Sequence, residues 1–171
     1  DGDPQAGCTV TPVANAMSVD VEDYYQVSAF DRIVSHGSWG QFESRVVANT
    51  NRLLEIFSRT STTATFFVLG WVADRHPDLV RRIADAGHEI ASHGFDHQLV
   101  YLLTPHQFRE DVRRAKSRLE SITGRPVLGY RAPSYSIVGS SLWALDVLAE
   151  EGYTYDASIF PIRHDRYGIP G

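Results

Sequence analysis

The chain has 171 residues, enough for one domain with a sizeable core and too few to expect two. Its 16 Lys and Arg against 21 Asp and Glu give a net charge of −5, and no basic run offers a surface for nucleic acid or an anionic membrane. No stretch approaches the roughly 18 consecutive apolar residues of a membrane-spanning segment, and a lone cysteine, Cys8, excludes an intrachain disulfide and a thiolate zinc site.

Residues 1–12 (DGDPQAGCTVTP) are rich in Gly, Pro and Asp without any period, which predicts a mobile leader in which Cys8 is incidental. The start carries neither a methionine nor a signal-like apolar run, as in a trimmed chain, a fragment, or a mature form whose leader is gone. From residue 13, short apolar runs alternate with longer amphipathic segments, and five such βα units can be counted, the order of a parallel sheet or barrel.

NAMSVDV (15–21) predicts a strand that runs into acidic residues, and FESRVVANTNRLLEIFSRT (42–60) places Val46, Val47, Leu53, Leu54 and Phe57 at helical spacing. TATFFVLG (63–70), aromatic and β-branched, predicts a buried strand ended by glycine. HPDLVRRIADAG (76–87) opens a helix with Pro77 and closes it with Gly87, and HEIASHG (88–94) follows as strand three. The helix of 104–124 has Thr104 as N-cap, Pro105 behind it and Gly124 as terminator. VLGYRAP (127–133) predicts strand four, SSLWALDVLAEEG (140–152) a last helix, YTYDASIF (153–160) strand five, and 161–171 a loop. No fixed-period repeat or low-complexity tract is present.

In parallel α/β folds the loops at the C-terminal strand ends share one face and collect functional residues. Four clusters fall there: DVED (20–23), SHGFDH (92–97), RAPSY (131–135) and YDAS (155–158). His, carboxylate and Arg on one rim point to a hydrolytic site. Two neutral imidazoles and a carboxylate commonly hold a catalytic divalent metal, and His93 and His97 supply the imidazoles. The carboxylate comes from DVED: strand alternation turns Asp20 and Glu22 the same way, while Asp23 can swing inward where the strand ends, so Glu22 and Asp23 both stand as ligand candidates. Such a metal acidifies water and polarises a carbonyl, and Asp20 is the candidate base beside it. Arg131 next to Asp20 would fix its orientation and favour its ionised form. The backbone after Pro133 can offer an N–H to a developing oxyanion, and Tyr135 can line the groove with a ring suited to sugars and N-acyl methyl groups.

The same residues have ordinary readings. A His pair at i, i+4 is more often a surface feature or a cap, Asp and Glu after a strand are often turn residues, and RAPSY alone is a Pro-containing loop whose Arg makes a weak ion pair. Tyr135, Trp71 and Trp143 read as packing, Asp96 as solvated, and His88 as a structural hydrogen-bonding residue near the site. His36, His76 and His106 sit near turns or helix starts and carry no role, and His164–Asp165 is a marginal groove candidate.

Taken in order, SVDVEDYYQVSAF, GHEIASHGFDH, GYRAPSYSI and YDASIFP resemble the polysaccharide deacetylase family with the NodB-type homology domain, carbohydrate esterase family 4, from about residue 14 to the end. The second is similar to that family's His-xxx-His metal motif and the third to its Arg-x-Pro motif, whereas DVED stands where most members have two adjacent aspartates. Among subgroups the resemblance is to enzymes found with exopolysaccharide loci of the PEP-CTERM/exosortase type.

This resemblance implies an α/β fold, a deformed (β/α) barrel of about seven strands, five of which have counterparts here, so that 13–171 is expected to be the N-terminal two thirds of such a domain. It implies Asp20 as general base, Asp23 or Glu22 with His93 and His97 as ligands of zinc (cobalt, nickel or iron being the other ions considered), Arg131 orienting Asp20, and substrate contacts at Pro133, Ser134 and Tyr135. The implied partner is an N-acetylated polysaccharide or oligosaccharide, and the implied reaction is hydrolysis of its acetamide bonds. The family's last motif, with a histidine acid, has no counterpart before Gly171, so the chain by itself is expected to be weak or inactive. The rival readings are a related C–N hydrolase of small cyclic amides or ureides and a catalytically inactive carbohydrate-binding module.

Overall fold

The computed structural model describes residues 15–164 and 167–170, so the expected leader with Cys8, and Asp165, lie outside the described residues. Five parallel strands form one sheet in chain order: β1 (Ser18–Val21), β2 (Thr65–Val68), β3 (Glu89–Ser92), β4 (Gly129–Tyr130) and β5 (Tyr155–Asp156). Helices α1 (Val46–Thr60), α2 (Gly70–Arg75), α3 (Pro77–Asp85), α4 (Pro105–Thr123) and α5 (Trp143–Glu150) make the crossovers that parallel pairing requires. This is the α/β class and the parallel five-strand order expected of a partial barrel. Among the described residues no helix is long and apolar enough to cross a membrane.

The strands are shorter than the apolar runs that predict them: β1 loses residues at its start, and β2, β4 and β5 at both ends. β4 stops at Tyr130, and two residues on the Ala132 N–H turns to Ser158 Oγ at 2.7 Å. β5 stops where the Asp156 carboxylate accepts the N–H and O–H of Ser158, a local turn that competes with strand pairing. Helix α2 is not predicted by the sequence pattern; its first N–H groups, from Gly70 and Trp71, donate to the carbonyls of Gly94 and Phe95. Residues 24–41 form three short 3-10 turns, and α1 starts at Val46 rather than at 42.

Alternation gives the sheet two unlike faces. Val21, Phe66, Val68, Ile90 and Tyr130 face the helices and join Leu79, Val80 and Ile83 of α3, Phe108, Val112 and Leu119 of α4, and Val147 and Leu148 of α5 in one core. The pairing register sets Val21, Val68, Ser92, Tyr130 and Asp156 in a single row. The ladder runs one residue further, through Leu69 N–H to Val21 O at 3.3 Å, His93 N–H to Val68 O at 3.0 Å and Arg131 N–H to Ser92 O at 2.9 Å. Glu22, His93 and Arg131 therefore stand in the next row, on the face away from the core and on the same side as Asp20.

The turn from β2 into α2 leaves no room for a side chain. A Cβ on Gly70 would lie 2.4 Å from the Phe95 ring and 3.0 Å from its Cα. Gly70→Ala is expected to lower folding stability by about 1–3 kcal/mol, read by urea denaturation.

Candidate metal centre

Glu22, the first residue past β1, meets His93, the first past β3, and His97 four residues on; one ligand atom from each lies within 4.8 Å of the others. Glu22 Oε2 is 2.7 Å from His97 Nε2 and 3.7 Å from His93 Nε2. His93 Nδ1 sits 2.8 Å from the Arg131 carbonyl oxygen. A carbonyl only accepts, so Nδ1 carries the proton and the neutral ring turns its Nε2 lone pair toward Glu22.

Burial pushes His93 below the ordinary imidazole range, against the pull of Asp20 and Glu22, and so favours the neutral ring that binds metals. Burial works to raise the Glu22 carboxyl, but the short contact and charge of His97, with His93 behind it, outweigh burial and hold Glu22 below the usual carboxylate range. Glu22 Oε2 and His97 Nδ1 are both buried without a hydrogen bond among the described residues. A carboxylate oxygen facing an imidazole lone pair is costly unless a cation or proton lies among them, so this donor set fits a divalent ion.

The two histidines are presented by a loop, not by a helical turn. β3 ends at Ser92, and His97 has φ +53°, a left-handed conformation that histidine tolerates better than most residues. The loop is pinned from both sides. Its Gly94 and Phe95 carbonyls take the first N–H groups of α2, and its Phe95 and Asp96 N–H groups donate to the two oxygens of Asp111, on α4, at 2.8 and 3.1 Å. Burial raises the Asp111 carboxyl to about 6, with the two N–H donors acting in the opposite direction. Asp111 is absent from the sequence-based site; the signal for it is an acid within the buried α4 stripe of Phe108, Val112, Ala115 and Leu119.

Of the two carboxylates open as ligands, the structure brings Glu22 to the histidines and turns Asp23 toward the start of α1. Asp23 accepts from the Arg45 and Val46 N–H groups at 2.7 and 3.1 Å, from Ser44 Oγ at 2.6 Å and from the Tyr25 hydroxyl at 3.2 Å. It caps the N-terminus of α1 from a distance and closes the segment 24–45, a role that satisfies orphan N–H groups and complements the helix dipole.

Arg131 Nη1 donates to Asp20 Oδ1 at 2.8 Å and Nη2 to Ser18 Oγ at 3.0 Å, with the guanidinium 4.1 Å above the Phe67 ring. In the Pro133–Tyr135 turn, Ser134 and Tyr135 have φ +50° and +52°. The Tyr135 and Ser136 N–H groups are used within the turn, to Ala132 O and Pro133 O, which leaves the Ser134 N–H outside that ladder. Two lesser expectations need correction. Asp96 is half-buried and pairs with His36 at 3.0 Å and Arg114 at 3.8 Å, so it is not simply solvated. His88 does accept a hydrogen bond, from Ala64 N–H at 3.3 Å, but it precedes β3 and lies at the end of the sheet opposite the site.

Glu22→Gln is expected to lose stoichiometric divalent metal in elemental analysis, whereas Asp23→Asn keeps it and loses about 1–3 kcal/mol of stability; the reverse pattern would exchange their roles. Asp111→Asn, which offers one acceptor where two N–H groups need one each, is expected to weaken divalent-metal binding by about 10–100-fold in calorimetry.

The family model described as polysaccharide deacetylase matches residues 30–155. A peptidoglycan deacetylase-like protein of Gibberella zeae is 33% identical over 128 residues, covering 74% of this chain and 36% of that protein. A peptidoglycan deacetylase of Helicobacter pylori is 29% identical over 108 residues, 63% of this chain and again 36% of the relative. A Mycobacterium smegmatis crystal structure, described as a polysaccharide deacetylase, is 34% identical with a TM-score of 0.66, over 84% of this chain and 50% of that one. The chain thus spans about a third of the length of these curated relatives.

Proposed function

The chain belongs to the polysaccharide deacetylase family, and from that membership we propose that the protein carrying it removes N-acetyl groups from sugars of a polysaccharide. The observation that carries the reading is the convergence of Glu22, His93 and His97 on the rim that also holds the Asp20–Arg131 pair. Glu22, His93 and His97 would hold the metal, and a borderline-soft ion that accepts two imidazoles and one carboxylate in a partly open site is best matched by zinc. Such an ion, when bound, acidifies water and polarises the acetamide oxygen.

The remaining chemistry belongs to the chain's own side chains. Asp20 is the base that takes a proton from the attacking water. Arg131, bonded to one Asp20 oxygen, fixes the orientation of the carboxylate and leaves the other oxygen to face the water. The N–H of Ser134 donates to the oxygen that becomes negative as the carbonyl is attacked, and its left-handed backbone is the strained geometry that aims it. Pro133 fixes the start of that turn, and Tyr135 offers its ring to the sugar. The water proton passes to nitrogen as the C–N bond breaks, giving acetate and an amine.

In the full-length protein, Asp20→Asn is expected to lower acetate release from N-acetylglucosamine oligomers by about 10²–10⁴-fold with zinc content unchanged. Undiminished release by that variant would remove Asp20 as the base, and hydrolysis of small cyclic amides alone would overturn the proposed substrate class.

A further inference from the structure

The cluster YDAS (155–158) takes no part in the reaction proposed above, yet it is bonded into the rim. Ser158 is fully buried, and its hydroxyl has a partner on each side: it accepts the Ala132 N–H at 2.7 Å and donates to Asp156 Oδ1. The second Asp156 oxygen accepts the Ser158 N–H at 3.0 Å, and the Ala157 N–H donates to the Tyr130 carbonyl at 2.8 Å, which fixes the segment against β4. The Ala132 N–H belongs to the same peptide group as the Arg131 carbonyl, and that carbonyl accepts from His93 Nδ1 at 2.8 Å. One line of hydrogen bonds thus runs from the Asp156 carboxylate through the Ser158 hydroxyl and the 131–132 peptide to the His93 ring.

Every donor in the line points toward Asp156. Hydrogen bonds in series polarise one another: a carboxylate drawing on the Ser158 proton makes the hydroxyl oxygen a better acceptor for the Ala132 N–H, and the polarised peptide carries more negative charge on the Arg131 carbonyl oxygen. That oxygen draws harder on the Nδ1 proton of His93, so the Nε2 lone pair across the ring becomes more basic. Burial raises the Asp156 carboxyl, while both Ser158 donors and the Arg131 charge act against burial. His97 has no such support, for its Nδ1 is buried without a hydrogen bond among the described residues. The local turn does not need the hydroxyl either: the bond from the Ser158 N–H to Asp156 closes an Asx turn by itself.

We propose that Asp156 and Ser158 are positioning residues of the metal centre: acting through the 131–132 peptide, they set the plane of the His93 ring and strengthen its Nε2 as a donor to a divalent ion. The inference rests on the reading of His93 as a ligand, and it gives the two imidazoles unequal strength, with His93 the stronger of the pair.

The test uses the full-length protein, stripped of metal with EDTA and titrated with Zn²⁺ against a competing chelator. At saturating Zn²⁺ the Nδ1–H proton of His93 is then followed by NMR with isotope-labelled histidine. Asp156→Asn keeps the Asx turn and removes the charge, so it separates polarisation of the line from folding of the segment. It is expected to bind Zn²⁺ about tenfold more weakly, with Ser158→Ala weakened at least as much, and both are expected to move the His93 Nδ1–H resonance upfield. If either readout is unchanged in Asp156→Asn, the proposal is overturned, even where Ser158→Ala is weakened. His93→Ala is expected to lose more affinity than either variant. Unchanged Zn²⁺ affinity in His93→Ala would sink the ligand reading and the inference with it, whereas loss in His93→Ala with none in Asp156→Asn and Ser158→Ala would sink the inference alone.

Discussion

Everything about the rim depends on the register of the parallel ladder. Because side chains alternate along a strand, a slip of one residue would drive Asp20 and Glu22 into the helix-covered core and bring Val21 to the other face. Burying Val21, Phe66, Val68 and Ile90 is worth about 1.5–3 kcal/mol for each large side chain, and burying an unpaired carboxylate costs more than that, so the slipped register is excluded twice over. The apolar residues that hold the sheet to its helices are thus the same ones that bring Glu22, His93 and Arg131 into one row.

The loop between β3 and α4 is the second point of control. A non-glycine residue in the left-handed region costs of order 1–3 kcal/mol, and His97 occupies it only because the loop backbone is bonded on both sides. The N-terminal N–H groups of α2 hold its carbonyls and Asp111 holds its N–H groups, so each buried polar group of one element satisfies another's. Gly70 and Gly94 are needed for the same closeness: a Cβ at Gly94 would meet an Asp111 oxygen at 2.8 Å.

The four residues DVED divide three tasks among three carboxylates. Asp20, still within β1, pairs with Arg131; Glu22 continues the alternation past the strand end and reaches the histidines; Asp23, where alternation stops, turns back to α1. Closure of the 24–45 segment by Asp23 is reinforced by Tyr25, Trp39 and Trp71, whose rings meet edge-to-face or tilted with centroids 5.5–6.5 Å apart and attach the segment to α2. The segment then forms one side of two clefts beside the site.

What the sequence by itself determined is what local chemistry specifies. Apolar periodicity marked the βα order, Thr104 and Gly124 marked the ends of α4 through a reciprocal side-chain cap and a φ of +64°, and the four polar clusters marked the strand ends. Missing from that reading were α2, whose first N–H groups bond to a loop some 24 residues later; Asp111, which reads as an ordinary helical acid until its partners at 95 and 96 are known; and the end of the sheet at which His88 lies. Which of Glu22 and Asp23 lies beside the histidines was likewise set only in three dimensions. Both are acids past a strand end, and local sequence carries no record of the two backbone N–H groups at 45 and 46 that claim one of them, because that contact forms across more than twenty residues of intervening chain.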